Sequence, residues 1–379
     1  MSGTKKSEHL VESPVGSAMD QLCASIGQCD MSELPGPQPG SGQPALWPSK
    51  QMELIAQAGV YRWFVPQSAG GLEWDSADVV EGYIRLSSSC LTSAFVLTQQ
   101  VAALKRICAS PNAELRDRLM PGLLSGEETA TVGISHLTTS RQHTQPALRA
   151  VELAADSATN SSSGFQVDGF SPWVTGGCAA TYLLMGAQLD DGRQILFVTP
   201  SQAEGISIEP GFKLVGLTES QTGAVKCHSV VVPPENIVAG PCNNVLASLT
   251  SNSTGGFQTS SLAIGLSRSA IEFLGDQSRK RPDLSVTFES LEQQYGEIET
   301  QLKSLAAGIE VCTSAELRTR ANSLVLRATQ SALVAAKGSG YVEGHPVGRW
   351  CREALFFLVW SCPQAVLDAN LCELVGIEI

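Results

Sequence analysis

Apolar and polar positions along this 379-residue chain change period twice. Val15 to Cys29 reads as a first helix. The proline- and glycine-rich run from Leu34 to Pro44 then forbids regular structure and makes a connector. From Pro48, Met52, Leu54, Ile55 and Ala58 recur at helical spacing until Gly59 ends the segment. One long helical stretch is expected from Ser76 through Ile107, and a third from Pro111 to near Gly126. Between Thr129 and Val238 the texture becomes short β-branched runs. These are Ala130 to Ile134, Thr181 to Met185, Gln194 to Val198 and His228 to Val232. Asp190-Asp191-Gly192 marks a hairpin, Ser157 to Gly164 a polar loop between strands, and Val232-Pro-Pro the close of the β region. From Gly256 the helical period returns, over Ser261 to Leu266, Ile271 to Leu274, Leu291 to Leu305 and Leu317 to Ala336.

Helices, then strands, then helices give an α+β chain rather than alternating βαβ units. The expected division is 1–44 as an N-terminal segment and linker with one possible helix, and 45–127 as an N-terminal helical domain. A middle β domain (sandwich or barrel) follows over 128–240, and a C-terminal helical bundle over 241–379. Residues 1–13 are polar and expected to be loose.

Composition narrows the function classes. The chain is 43% hydrophobic and 16% charged, which suits a soluble globular protein. A net charge of −12 argues against a nucleic-acid surface, since only Arg279-Lys280-Arg281 clusters cations, and such a run is more often a solvated helix end. No apolar run reaches the length of a membrane span, including Phe356 to Trp360. Eleven cysteines without a CxxC pair fit reduced thiols in a cytoplasm better than a disulfide framework or zinc site.

Several candidate sites are set aside. His136 and His143 lack a third spaced ligand, so no metal is expected. Gly338-Ser-Gly340 lacks a preceding strand and the dinucleotide spacing, and no Gly-x-Ser-x-Gly elbow occurs. Asp75, Asp78 and Glu81 read as the acidic start of a helix.

Four words in order carry a resemblance. Ala58-Gly-Val-Tyr-Arg-Trp-Phe-Val-Pro-Gln-Ser-Ala-Gly-Gly-Leu resembles an "AGV…F…VP…GGL" signature, and Val167-Asp-Gly-Phe-Ser-Pro-Trp-Val-Thr-Gly-Gly resembles "NGxKxWITNG". Val231-Val-Pro-Pro-Glu-Asn-Ile-Val resembles "VxVPxxNV". Gly338-Ser-Gly-Tyr with His345-Pro and Arg352-Glu-Ala resembles "GGxGY…P…RDA". Together, from residue 45 to 363, they resemble the acyl-CoA dehydrogenase superfamily.

That resemblance implies FAD between the β domain and the last helices, with Trp173 and Thr175 on the strand meeting the isoalloxazine. It places Ser135 on another flavin-facing strand, Arg281 where an arginine reaches FAD in a neighbouring subunit, and Gly338 in the glycine word near the cofactor. An aromatic face and a hydroxyl suit a flavin, and a guanidinium suits a diphosphate. Without the resemblance, a buried Trp, a strand Thr and a surface Arg would be the plainer readings. The resemblance also implies an acyl-CoA substrate, electron-transferring flavoprotein as oxidant, and a homodimer or homotetramer.

The chain departs from the pattern at the chemistry. Counting from Arg352 places the family's catalytic Glu at Ser361, whose hydroxyl is a far weaker base. The alternative base position, in Ser253-Thr-Gly-Gly-Phe, holds no acid. The "FG" after the arginine reads Leu284-Ser285, and an expected glutamine falls on Val334. The first glycine of its word falls on Lys337, and "TEPxxGSD" reads Ser135-His-Leu-Thr-Thr-Ser-Arg-Gln. A dehydrogenase, a flavin monooxygenase on the same fold, and a binding or scaffold protein without turnover are the three functions compatible with this pattern.

Overall fold

The computed structural model describes residues 10–29, 46–137, 147–154, 164–249 and 257–377. The connector at 34–44, His143 and 253–256 lie outside the described residues, as does all of the Ser157 to Gly164 loop except Gly164. Helices α1 (Ser17–Gln28), α2 (Ser49–Gln57), α3 (Ser76–Ser89), α4 (Leu91–Cys108) and α5 (Ala113–Ser125) form the N-terminal part. The expected single helix from Ser76 is in fact α3 and α4, broken at Cys90, whose backbone is extended (φ −159°, ψ 108°). Ser89 donates its hydroxyl to Arg85 O at 3.1 Å and Ser93 to Cys90 O at 3.1 Å, the local bonding by which serine competes with the helix. Asp75 caps α3, accepting from Asp78 N at 2.8 Å. Asn112 rather than Pro111 opens α5, accepting from Leu115 N at 3.1 Å. Residues 10–13 are docked rather than loose: Val11 is buried, and its carbonyl accepts from Trp63 Nε1 at 2.9 Å.

Among the described residues, eight strands form one mixed sheet: β1 (Ala130–Gly133), β2 (Leu148–Glu152), β3 (Phe165–Val174), β4 (Tyr182–Gln188), β5 (Gln194–Pro200), β6 (Ile206–Ile208), β7 (Gly223–Val232) and β8 (Ile237–Cys242). The order is β6-β7-β3-β2-β4-β5-β8, with β1 parallel to β4. Asp190-Asp191-Gly192 turns β4 into β5, with Gly192 at φ 89° where a side chain would be strained. Pro233 and Pro234 end β7 as expected, but the chain re-enters the sheet as β8. Proline is tolerated there because the two occupy a turn and Pro241 lies on an edge strand.

Alternation along the strands splits the core. Leu183, Met185, Ile195, Phe197, Val225 and Val230 fill one face of the sheet. Leu184, Leu196 and Val198 join the helical core with Leu97, Val101 and Leu104 of α4. The C-terminal part comprises α6 (Val245–Ser248), α7 (Phe257–Ser278), α8 (Ser285–Ala306), α9 (Ser314–Ala336), α10 (Pro346–Ala354) and α11 (Gln364–Leu374). Thr313 and Glu316 close a capping box on α9. No helix among the described residues is long and apolar enough to cross a membrane.

Helix α7 meets α3 at very short range. Ser87 Oγ donates to Leu262 O at 2.7 Å, and a Cβ on Gly265 would stand 2.4 Å from Ile84 O. Gly265→Ala should therefore destabilise the protein by about 1–3 kcal/mol through overpacking. Gly296→Ala on α8, where a Cβ meets nothing within 4 Å, should be neutral or stabilise by up to about 1 kcal/mol. Thermal denaturation of the two variants checks the contrast, and equal melting temperatures would contradict it.

Candidate functional site

The end of β3 presents the first group. A register shift between Ser171 and Val174 interrupts the β3–β7 ladder, and Trp173 stands 47% exposed. Phe212, also exposed, meets it edge to face, with ring centroids 5.0 Å apart at 62°. Two residues beyond Trp173, the buried Thr175 Oγ1 lies 2.9 Å from Thr222 Oγ1, which lies 2.9 Å from Ser220 Oγ, and Phe212 N donates to Thr222 O at 2.9 Å. Two bonds among three hydroxyls use two of their three protons. Thr131 of β1 ties the strands together, donating to Thr175 O at 2.7 Å. Ser135 opens the turn after β1 and is half-buried. The neighbouring His136 is buried, with Nε2 2.7 Å from Gly186 O, so it belongs to the sheet's packing. A flat, polar-edged heteroaromatic ring fits such an indole backed by hydroxyls.

The second group lies among the C-terminal helices. Arg281 donates Nη1 to Ala335 O at 2.9 Å and places Nη2 3.2 Å from Asp283. That ties it to the end of α9, three residues before the exposed Gly338. The departing positions Leu284 and Val334 face one open cleft of about 620 Å³, together with Leu274, Val286, Leu291 and Arg327. Position 334 brings it no amide, but Gln294 and Gln330 line the same cleft.

Ser361 belongs to a third group. It is exposed, at φ 48°, in the turn between the short helix Leu355–Leu358 and α11. Arg318 and Asn322, both buried on α9, hold that turn. Arg318 Nη2 donates to Trp360 O at 2.7 Å and Nε to Asn322 Oδ1 at 3.1 Å. Asn322 Nδ2 donates to Phe357 O at 3.0 Å. Burial pulls the Arg318 guanidinium down to about 10, which leaves it charged at neutral pH. On the other side, Phe95 of α4 packs against Phe356 and Trp360.

One carboxyl here does not stand out in the sequence. Glu353 of α10 is buried at the meeting of all three parts of the chain. Thr92 of α4 lies against it, Glu219 of the turn Thr218–Ser220 is near, and Arg349 Nε stands 3.7 Å from Oε1. The loop approaches so closely that a Cβ on Gly216 would lie 2.9 Å from Arg352 O. Burial pushes Glu353 up to about 7, opposed by Arg349 and reinforced by Glu219. The only signal for it in the sequence is the charged Arg352-Glu353 pair beside an apolar run. Phe212, Thr222, Arg318 and Asn322 have none, because their roles arise from packing.

Among the expected site residues, Thr175 joins β1, the strand leading to Ser135, through Thr131, and Arg281 joins the segment of Gly338 through Ala335. Among the described residues, no hydrogen bond or ring contact connects segment 355–361 to either group. No cluster of potential metal ligands occurs among the described residues.

A scan against protein-family models finds no match. Curated relatives are found nonetheless. Probable acyl-CoA dehydrogenase FadE10 of Mycobacterium tuberculosis is 22% identical over 243 residues, 62% of this chain and 36% of that protein. The chain thus matches about a third of the length of the first curated relatives. Probable acyl-CoA dehydrogenase fadE25 of Mycobacterium leprae is 23% identical over 361 residues, 88% of this chain and 89% of the relative. Cyclohexane-1-carbonyl-CoA dehydrogenase of Syntrophus aciditrophicus is 22% identical over 326 residues, 80% and 82% of the two chains. Butyryl-CoA dehydrogenase from Megasphaera elsdenii superposes with a TM-score of 0.76 at 16% identity, covering 94% of this chain and 96% of that one. TdsC from a Paenibacillus species, in complex with FMN and indole, gives 0.73 at 15% identity over 94% of each chain. The fold is that of the acyl-CoA dehydrogenases, as the ordered words implied.

The Glu353 geometry predicts a pH dependence. Between pH 4.5 and about 7 the folded chain keeps a proton that the unfolded chain has lost, so stability falls as pH rises through this window. The loss above pH 7 is on the order of 3 kcal/mol. Glu353→Gln should remove this decline, so the variant gains on the wild type between pH 5 and pH 8. Urea titrations at both pH values measure it, and parallel losses in the two proteins would refute the assignment.

Proposed function

We propose that this chain, a member of the acyl-CoA dehydrogenase superfamily, is a flavin-dependent oxidoreductase acting on an acyl thioester. The observation that carries the reading is the exposed Trp173 at the end of β3, backed by Thr175, Thr222 and Ser220. It stands in a fold shared with butyryl-CoA dehydrogenase over nearly the whole chain. Trp173, Thr175 and Ser135 would hold the isoalloxazine ring, and the segment of Gly338 would hold the rest of FAD. Arg281, whose guanidinium keeps about a third of its surface exposed, reaches the diphosphate of a neighbouring copy in a homodimer or homotetramer. A bound flavin supplies a two-electron acceptor for hydride from the acyl β-carbon. The chain's own part is to orient the thioester and receive the α-proton. Ser361 is poorly suited to that second task, because an unassisted hydroxyl is far less basic than a carboxylate. Electron-transferring flavoprotein is the oxidant in this reading, and eleven unpaired thiols suit a cytoplasmic setting.

A second reading, flavin monooxygenase, is favoured by the same serine. Oxygen insertion needs no α-proton base, and TdsC, which shares this fold, is seen with FMN and indole.

The purified protein should be yellow, and the flavin released from it identifies FAD or FMN. Thr175→Ala and Arg281→Ala should each weaken flavin retention about tenfold, read by equilibrium dialysis. Butyryl-CoA should bleach the bound flavin slowly, and Ser361→Glu should accelerate bleaching about a hundredfold. Rapid bleaching of the wild type would show another group acting as base. Colourless protein with no saturable flavin quenching would remove both readings.

A further inference from the structure

The loop 211–222 joins the Trp173 surface to the junction of the helices. On the sheet side Phe212 meets the indole, and Thr222 and Ser220 continue the hydroxyl chain from Thr175. Ser220 O and Gln221 O both accept from Gly176 N, at 3.0 and 3.2 Å, so the loop also holds the backbone just past Thr175. On the other side the loop is pressed into the helices. Leu217 is buried in the helical core, and a Cβ on Gly216 would stand 2.9 Å from Arg352 O and 3.0 Å from Glu353 N.

The turn between the two sides is stiff. Thr218 Oγ1 donates to Leu214 O at 2.9 Å and accepts from Leu214 N at 3.1 Å. Leu217 and Gln221 lie at φ 63° and 48°, left-handed states that side-chain-bearing residues hold only where the surroundings fix them. A displacement at Gly216 or Glu219 therefore passes on to Ser220 and Thr222.

Glu353, 3% exposed, stands where this loop meets α10 and α4. Facing it are Glu219 from the loop, Arg349 and Arg352 from its own helix, and Cys90 and Thr92 from α4. Burial pushes the Cys90 thiol up, so it stays neutral. Thr92 Oγ1 and Arg349 Nε are buried without a hydrogen-bond partner among the described residues, so neither is bonded to the carboxyl. An ionised carboxylate here meets both desolvation and the like charge of Glu219.

We propose that Glu353 is a positioning residue for the Trp173 surface. Protonated, it lets the loop close on α10 and hold Phe212, Ser220 and Thr222 in place. Ionised, it drives the loop off through Glu219 and loosens that surface. This rests on the flavin reading and adds control of the same site by pH. Glu353 acts through the loop alone and touches neither cofactor nor substrate. The coupling is reciprocal, so a ligand that tightens the loop also makes the carboxyl harder to ionise.

Equilibrium dialysis of FAD against the full-length protein at pH 6, 7 and 8 tests it. Wild-type affinity should fall about fivefold or more from pH 6 to pH 8. Glu353→Gln should give a flat profile at the tight end, and Glu353→Asp should restore the slope. Glu219→Gln, at a half-buried position, removes the like charge, so the fall should move to lower pH. A merely structural role for Glu353 would shift affinity equally at every pH. Amide hydrogen exchange over residues 211–222 reads the loop without any ligand. Its rate in the wild type relative to Glu353→Gln should rise from pH 6 to pH 8. A constant ratio, or wild-type and Glu353→Gln affinities that run parallel with pH, would overturn the proposal while leaving the flavin reading intact. Absence of flavin binding at every pH overturns the flavin reading, and the exchange ratio then decides alone whether Glu353 governs the loop.

Discussion

Two backbone carbonyls, Phe357 O and Trp360 O, constrain the turn around Ser361. The chain leaves helical geometry here, so these oxygens have no partner within a helix, and an unmet buried carbonyl costs about 1–3 kcal/mol. Arg318 and Asn322 of α9 answer both, and Arg318 also donates to Asn322. A neutral amide alone could have served Phe357 O. Using a guanidinium at Trp360 O brings a charge into the core, with its desolvation visible in a lowered pKa. The turn therefore inherits its position from α9, a 23-residue helix with a closed capping box. Ser361 and the aromatic face before it move only if α9 moves.

Glu353 plays the opposite part. Its neighbours come from three separate parts of the chain, yet Arg349 at 3.7 Å is too distant for a direct hydrogen bond. A carboxyl so placed is easier to bury protonated than charged. The junction is therefore tightest in mildly acid solution, and the same loop approach at Gly216 that buries the carboxyl leaves little room for water to solvate it. The charge state of one side chain thus bears on how firmly α4, α10 and the loop of Glu219 hold together.

Much of this architecture is legible in the sequence, and the limits have physical causes. Helix-to-strand-to-helix order follows from periodicity, and the four ordered words point to the family without any coordinates. The break at Cys90 escapes a reading by period because apolar residues keep helical spacing across it, while the serines that interrupt the ladder are neutral in composition. Strand β8 escapes because two prolines end β7, and a local rule cannot show that the next residues rejoin the sheet beside β5. The indole of Trp173 can be placed on its strand, but Phe212, Thr222 and Ser220 reach it only through loops that fold back on the sheet. Glu353 is inconspicuous within its motif because burial, not identity, makes it unusual.

The separation of these groups explains how cofactor binding and base chemistry can part company. The surface at Trp173 and Thr175 is built on β1, β3 and the loop to β7, and its three hydroxyls form one hydrogen-bonded chain. Nothing in that arrangement draws on residues 355–361. The turn at Ser361 draws its support from α9 and α4, and at φ 48° it is a backbone state that costs any residue with a Cβ about 1–2 kcal/mol. A chain with this architecture can therefore keep a flavin-shaped surface whatever occupies position 361.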